Sequence, residues 1–216
     1  MKLLLSDEDR KRLDQLISET EKRTMTQIVL AVVKRSDSYV EIPWKAFAMT
    51  ASVAGLAIII ISLLVNYWVS ETDILIAIAA TLLAGALVAL VSVFVPVVAR
   101  FFLSDHRAEE EVQHYADSLF LEKQLFTTRK RMGILLLVSL FERKVVIVPD
   151  TGVSKKLTQE EMQQIIARMI SCLRKNELGK AFEEGLAHLS AELQDHVSAD
   201  LYENELPDNI IEEDGV

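Results

Sequence analysis

The chain has 216 residues, of which half are hydrophobic and a quarter are charged, with a formal net charge of −9. From Glu192 to the end there are nine Asp or Glu residues and no Lys or Arg. Such an acidic end repels phosphates, which argues against nucleic acid as a partner. The single cysteine, Cys172, excludes an intramolecular disulfide and fits a reducing compartment.

The first segment, residues 1–43, is predicted to form a helix and a strand of a soluble domain. Residues 6–23 place apolar side chains at helical spacing, and Ser6 is a typical N-cap residue. Residues 27–33 form a nearly continuous run of β-branched and aliphatic side chains, which is typical of a strand buried on both faces.

The second segment, residues 44–101, is predicted to be a transmembrane hairpin with helices at about 46–65 and 74–99. From residue 46 to residue 99 only Glu71 and Asp73 are charged, and each apolar run is long enough to span a bilayer. Trp44, Tyr67 and Trp68 lie where interfacial aromatic side chains are expected. The lipid bilayer is therefore an expected partner.

Basic residues flank the hairpin and predict its orientation. Lys34, Arg35 and Lys45 precede it, Arg100 and Arg107 follow it, and the connecting loop has no Lys or Arg. Because positive charge is retained inside, both termini are predicted to be cytoplasmic in a multi-pass protein of the inner (plasma) membrane. Neither apolar run contains an ionisable residue, which makes a transporter improbable.

Small residues recur at four-residue spacing in both runs, among them Gly55 and Gly85, and allow close helix packing. We expect the hairpin to pack on itself rather than to dimerise, because its short loop already holds the helices together. The oligomeric state is not determined by this pattern.

The third segment, residues 102–196, is predicted to complete the soluble domain. A helix over 109–126 precedes strands at 133–140 and 145–148, and two helices follow, the first with a capping box of Thr158 and Glu161. Strand 27–33 is expected to pair with 133–140 in an α/β layer fold. Residues 197–216 are interpreted as an acidic, solvated tail, with contact to a basic partner as the alternative.

Three stretches resemble the TPM-domain family, and they are residues 128–133, 138–143 and 148–153. The ending at 204–208 is also similar. The likeness is to a bacterial subgroup of membrane proteins with an inserted transmembrane pair. The positions that match the family pattern are Thr128, Arg131, Gly133, Ser139, Glu142, Arg143, Asp150 and Gly152.

The resemblance implies a small α/β/α sandwich, here interrupted by the transmembrane hairpin. It also implies either of two functions, because family members include a receptor-channel auxiliary subunit and a chloroplast protein with acid phosphatase activity. We expect a non-enzymatic interaction or accessory module acting on other membrane proteins. The alternative is a phosphatase-like hydrolase that depends on a divalent cation such as Ca²⁺ or Mg²⁺.

The chain departs from the family where a metal is expected. Many members have Asp-Asn-Gly before the central strand, whereas this chain has Arg131, Met132 and Gly133. Asp150, just past a strand end, is the candidate metal ligand. The carboxylates at 105, 109 and 110 are candidates to join it. The alternative is a turn aspartate that bonds its own backbone.

Overall fold

The computed structural model describes residues 5–65, 70–128, 130–194 and 210–215. The chain divides into two compact units. The first, which we call the α/β unit, comprises residues 1–37 and 108–216. The second, the helical unit, comprises residues 38–107.

A four-stranded mixed sheet forms the centre of the α/β unit. Its strands are β1 (Gln27–Val33), β2 (Gly133–Ser139), β3 (Lys144–Pro149) and β4 (Ile211–Glu213), in the spatial order β3-β2-β1-β4. β1 runs parallel to β2, β3 is antiparallel to β2, and β4 is parallel to β1. The predicted pairing of the strand before the apolar runs with the strand after them is confirmed.

Helices cover both faces of this sheet, so β1 and β2 are buried along their whole length. The helices of the α/β unit are α1 (Asp7–Thr24), α5 (Asp105–Glu122), α6 (Thr151–Ser154), α7 (Gln159–Leu173) and α8 (Leu178–Gln194). One core joins Leu30 and Leu136 to α1, α7 and α8. The other joins Leu135 and Leu137 to α5. The unit is therefore the predicted α/β/α sandwich.

The helical unit contains α2 (Glu41–Val65), α3 (Glu71–Phe94) and α4 (Pro96–Phe102). By length and composition, α2 and α3 are both candidate membrane spans. The two helices pack closely at Gly85, where a Cβ atom would lie 2.9 Å from the Phe47 ring. A Cβ on Gly55 would meet Thr81 at an ordinary 3.9 Å. Small residues thus lie between these helices, as the spacing predicted.

The second apolar run is not one helix, contrary to the bounds of 74–99 expected from its composition. α3 ends at Phe94, Val95 is extended with φ −111°, and Pro96 begins α4. Proline has no N–H to donate and disfavours helical backbone in the residue before it. It is, however, well suited to the first position of a new helix.

Strand β4 lies within residues 197–216, for which the sequence predicts a solvated tail and no strand. Within that segment the structure describes residues 210–215, and Ile210 is buried in the core of the sandwich. The acids of β4, and Asp214 directly after it, bind basic and phenolic groups around the sheet. The polar pairs are Arg10 with Glu212, Lys34 with Asp214, and both Lys123 and Tyr115 with Glu213.

Candidate functional site

The residues that match the family pattern are divided between the two ends of β2. At three to three and a half ångströms per residue, the ends of this seven-residue strand are roughly 20 Å apart. The group at its start, which we call the Asp150 end, contains Thr128, Arg131, Gly133, Asp150 and Gly152. The group at the C-terminal end of β2, which we call the Glu142 end, contains Ser139, Glu142 and Arg143.

The backbone at the Asp150 end is so tightly folded that two glycines are required. The amide of Asp150 donates to the carbonyl of Gly133 at 2.8 Å, and that of Gly152 donates to Arg131 at 2.9 Å. A Cβ atom on Gly133 would lie 2.4 Å from the carbonyl oxygen of Leu125. One on Gly152 would lie 2.5 Å from the carbonyl oxygen of Arg131. These glycines allow the loops before β2 and after β3 to meet.

Asp150 and Arg131 form an ion pair at this meeting point. Asp150 is 3 % exposed, and its Oδ1 accepts from Nε of Arg131 at 3.1 Å and from Nη2 at 3.0 Å. Nη1 of the same guanidinium donates to the carbonyl oxygen of Phe126 at 3.0 Å. Arg131 has φ +56°, which places it in the left-handed region, and its charged group lies 5.9 Å from the Phe126 ring centroid.

Asp150 also caps the short helix α6. Its Oδ1 accepts from the amide of Thr151 at 2.6 Å, so the alternative interpretation as a turn aspartate describes a contact that the structure contains. Oδ2 of Asp150 and Oγ1 of Thr128 are buried at this end and have no hydrogen-bond partner among the described residues.

A metal ion would need several oxygen ligands at the Asp150 end. Among the described residues, no group of three or more His, Cys, Asp or Glu side chains is placed to hold a metal ion. Asp105, Glu109 and Glu110 therefore do not form such a group with Asp150. The assignment of Asp150 as a metal ligand stays a prediction.

At the Glu142 end, a buried carboxylate connects β1 to the β2–β3 turn. Oε1 of Glu142 accepts from the amide of Ser36 at 3.0 Å, and Oε2 accepts from the hydroxyl of Ser139. The hydroxyl of Ser36 donates to that of Ser139 at 3.2 Å. All three residues are buried. Arg143 is exposed in the turn with φ +55°.

This arrangement links backbone segments through hydrogen bonds. The Ser139 hydroxyl donates to a carboxylate, and a nucleophilic serine would need an adjacent base such as histidine. Sequence reasoning missed Ser36, although a serine just past the end of β1 is a signal for such a contact. It also missed the carbonyl of Phe126, which no side-chain pattern can show.

The fold and the two ends of β2 define a class of protein, namely an α/β/α sandwich with its sequence motifs at opposite ends of the central strand. The family model described as TPM domain matches residues 90–192. That segment includes β2 and β3, whereas β1 lies before it. The chain contains a TPM domain, as its motifs predicted.

A solved structure shares this fold. It is the NMR structure of the BA42 protein from the psychrophilic bacterium Bizionia argentinensis, which matches with a TM-score of 0.58 at 13 % sequence identity. The match covers 98 % of this chain and 97 % of that one. At this identity the likeness concerns the fold alone. No curated protein matches the chain.

Proposed function

We propose that this protein is a membrane-anchored accessory module, in which α2 and α3 cross the bilayer and the TPM domain contacts another membrane protein from the cytoplasmic side. The observation that carries the proposal is the insertion of two exposed, apolar helices between β1 and β2 of one sheet. The role does not require catalysis by the chain.

The dimensions and surfaces of the two helices support a membrane position. α2 has 25 residues and α3 has 24, so each is about 36 Å long, against a hydrocarbon core of about 30 Å. Large apolar side chains along both are exposed, including Leu64 at 80 % and Leu83 at 70 %. In water such a surface would be a strong driving force for association.

One end of the helical unit has the features of a membrane interface. Glu41 lies 3.9 Å from Lys45 and 3.7 Å from Arg107, so the start of α2 and the segment after α4 come together. Trp44 and Phe101 are each 75 % exposed, as aromatic side chains at the headgroup level are. This arrangement supports a hairpin whose two ends are on the same side.

The sheet supports the same topology. β1 and β2 are hydrogen-bonded neighbours, and the candidate spans lie between them in the sequence. A chain that leaves one side of a bilayer after β1 must return to that side before β2. The basic residues near the hairpin support a cytoplasmic location for that side.

Topology is tested by labelling single cysteines with a membrane-impermeant maleimide. The background variant is Cys172→Ser, and the reporters are Ser70→Cys, before α3, and Ser154→Cys, which is exposed in the TPM domain. We expect Ser70→Cys to react in intact spheroplasts and Ser154→Cys to react only in inverted vesicles. Labelling of both from the same side would refute the hairpin topology.

The non-catalytic role is tested against the metal-dependent phosphatase that the resemblance offers. Purified full-length protein in detergent is incubated with p-nitrophenyl phosphate in the presence of Mg²⁺ or Ca²⁺, beside the Asp150→Asn variant. We expect equal background hydrolysis from both, because the buried carboxylate is bound to Arg131. Hydrolysis that is well above background and lost in Asp150→Asn would establish the enzyme instead.

A further inference from the structure

The oxygen atoms at the Asp150 end converge on a positive charge that belongs to the chain. The guanidinium of Arg131 lies between the Asp150 carboxylate, at 3.0 and 3.1 Å, and the Phe126 carbonyl, at 3.0 Å. Carboxylate and backbone carbonyl oxygens are the ligands that Ca²⁺ takes in proteins. The donor atoms thus suit a hard cation, yet the cation they contact is an arginine.

The conformation of Arg131 is determined by its surroundings. Left-handed backbone is uncommon for a residue with a long side chain and costs on the order of one kcal/mol or more. Here the carbonyl of Arg131 accepts the Gly152 amide, its own amide donates to Thr128, and its guanidinium lies over the Phe126 ring. These contacts direct the side chain toward Asp150.

The residues present do not fit a divalent ion in addition to the arginine. Among the described residues the site supplies one carboxylate. Its Oδ1 already accepts from Arg131 and Thr151, which leaves, in the described part of the chain, Oδ2 and the Thr128 hydroxyl as the site's unpartnered oxygen atoms. A doubly charged ion beside the guanidinium would be repelled, and few oxygen atoms would remain to replace its water ligands. The divalent cation that the family resemblance implies is therefore at odds with the geometry of this chain.

We infer that Arg131 is a covalently attached replacement for a metal ion at the Asp150 end. In this chain the loops before β2 and after β3 are joined by an internal cation, and the domain is independent of divalent metal there. A carboxylate in place of Arg131 converts the same oxygen cluster into a divalent-cation site. This inference concerns the TPM domain alone and does not depend on the membrane role.

The experiment is calorimetric titration of Ca²⁺ and of Mn²⁺ into full-length protein in detergent. The variants are the unaltered chain, Arg131→Asp, and Arg131→Asp combined with Asp150→Asn. The matched control is Arg143→Asp, which makes the same charge change at another left-handed arginine, at the Glu142 end. Aspartate is among the residues that tolerate left-handed backbone, so both changes suit their positions.

We expect no saturable binding to the unaltered chain or to Arg143→Asp. We expect saturable binding to Arg131→Asp, at least tenfold tighter than the weakest affinity that the titration detects. Adding Asp150→Asn is expected to abolish that gain. Saturable binding to the unaltered chain that Asp150→Asn removes would overturn the inference. It would also be overturned if folded Arg131→Asp bound no better than Arg143→Asp.

A second variant covers the case in which two adjacent carboxylates prevent folding. Arg131→Asn also tolerates the left-handed conformation and brings an oxygen ligand without a second negative charge. Thermal unfolding is then measured with millimolar Ca²⁺ and with EDTA. A cation that binds only the folded state raises the midpoint of that variant, while the midpoint of the unaltered chain is expected to stay the same. A Ca²⁺-dependent midpoint in the unaltered chain, or none in Arg131→Asn, would contradict the inference.

Discussion

Glu142 shows how a buried charged residue is held in place in this fold. Its two carboxylate oxygens accept hydrogen bonds from the Ser36 amide and the Ser139 hydroxyl, which come from different segments of the chain. A buried acceptor that loses its donor keeps the cost of leaving water without the compensating bond. Ser139 is therefore expected to contribute to stability by donating to Glu142.

Replacing Ser139 with alanine tests this role. We expect Ser139→Ala to lower the free energy of unfolding by about 1–3 kcal/mol, because one carboxylate oxygen is left without its hydroxyl donor. The measurement is chemical denaturation of the full chain in detergent. Ser171→Ala is the control, since that exposed hydroxyl only donates to Arg168 within α7, and it is expected to change stability little. Equal effects from the two variants would contradict the argument.

At the scale of single elements, the short strand β4 is held both by its pairing with β1 and by polar contacts. It pairs with β1 over three residues. Glu213 within it accepts from the Tyr115 hydroxyl, and Asp214, which follows it, binds Lys34. The hydrogen bond and charge of Lys34 hold the pKa of Asp214 below its ordinary 3.8. Burial, with the hydrogen bond to Glu213, raises the pKa of Tyr115 above its ordinary 10.0.

These shifts predict how the attachment of β4 varies with pH. A lowered carboxyl pKa stabilises the folded state above pH 3.8, and that contribution is lost as the pH falls below it. A raised tyrosine pKa stabilises it below pH 10.0, and that contribution is lost as the pH rises further. We expect β4 to add most stability between these two values.

A chain ending at Asn209 provides the comparison. Near neutral pH the full chain is expected to exceed it by about 2 kcal/mol in unfolding free energy, chiefly because Ile210 is buried. Denaturation curves at several pH values should show this difference shrinking below pH 3.8. A difference that does not vary with pH would show that the charged contacts contribute nothing.

The packing of α2 on α3 supplies a further prediction. Gly85→Val would place a branched side chain against Phe47, where a Cβ alone comes within 2.9 Å, so we expect destabilisation of about 1–3 kcal/mol. Gly55→Ala is the control, because its new methyl meets Thr81 at an ordinary distance. Thermal unfolding in detergent compares the two. Similar midpoints would mean that this contact does not hold the helices together.

Some elements could be read from the sequence and others could not, for identifiable reasons. Strands β1 and β2 are buried on both faces, so their unbroken apolar runs identify them. The box of Thr158 and Glu161 correctly placed the start of α7. β4 has three residues, two of them acidic, and shows no alternation. Pro96 is a signal for a helix break, but the continuous apolar run around it favours a single long helix.

The sequence predicts which residues belong to the candidate site, but it does not predict which of them lie close together. The motif positions can be named from the sequence, but their division between two ends depends on β3 running antiparallel to β2. That direction sets Asp150 beside Gly133 and leaves Glu142 at the far end. The contact of Arg131 with the Phe126 carbonyl depends on a left-handed backbone, which a sequence pattern does not reveal.

For the whole molecule, the pairing of β1 with β2 determines when the domain can fold. Gln27 pairs with Gly133, so β1 waits for roughly a hundred further residues to be synthesised, or about 5–20 s at typical rates of translation. During that interval an apolar strand has no neighbour, which favours aggregation. A chain that stops before β2 is therefore expected to leave β1 exposed and prone to aggregation.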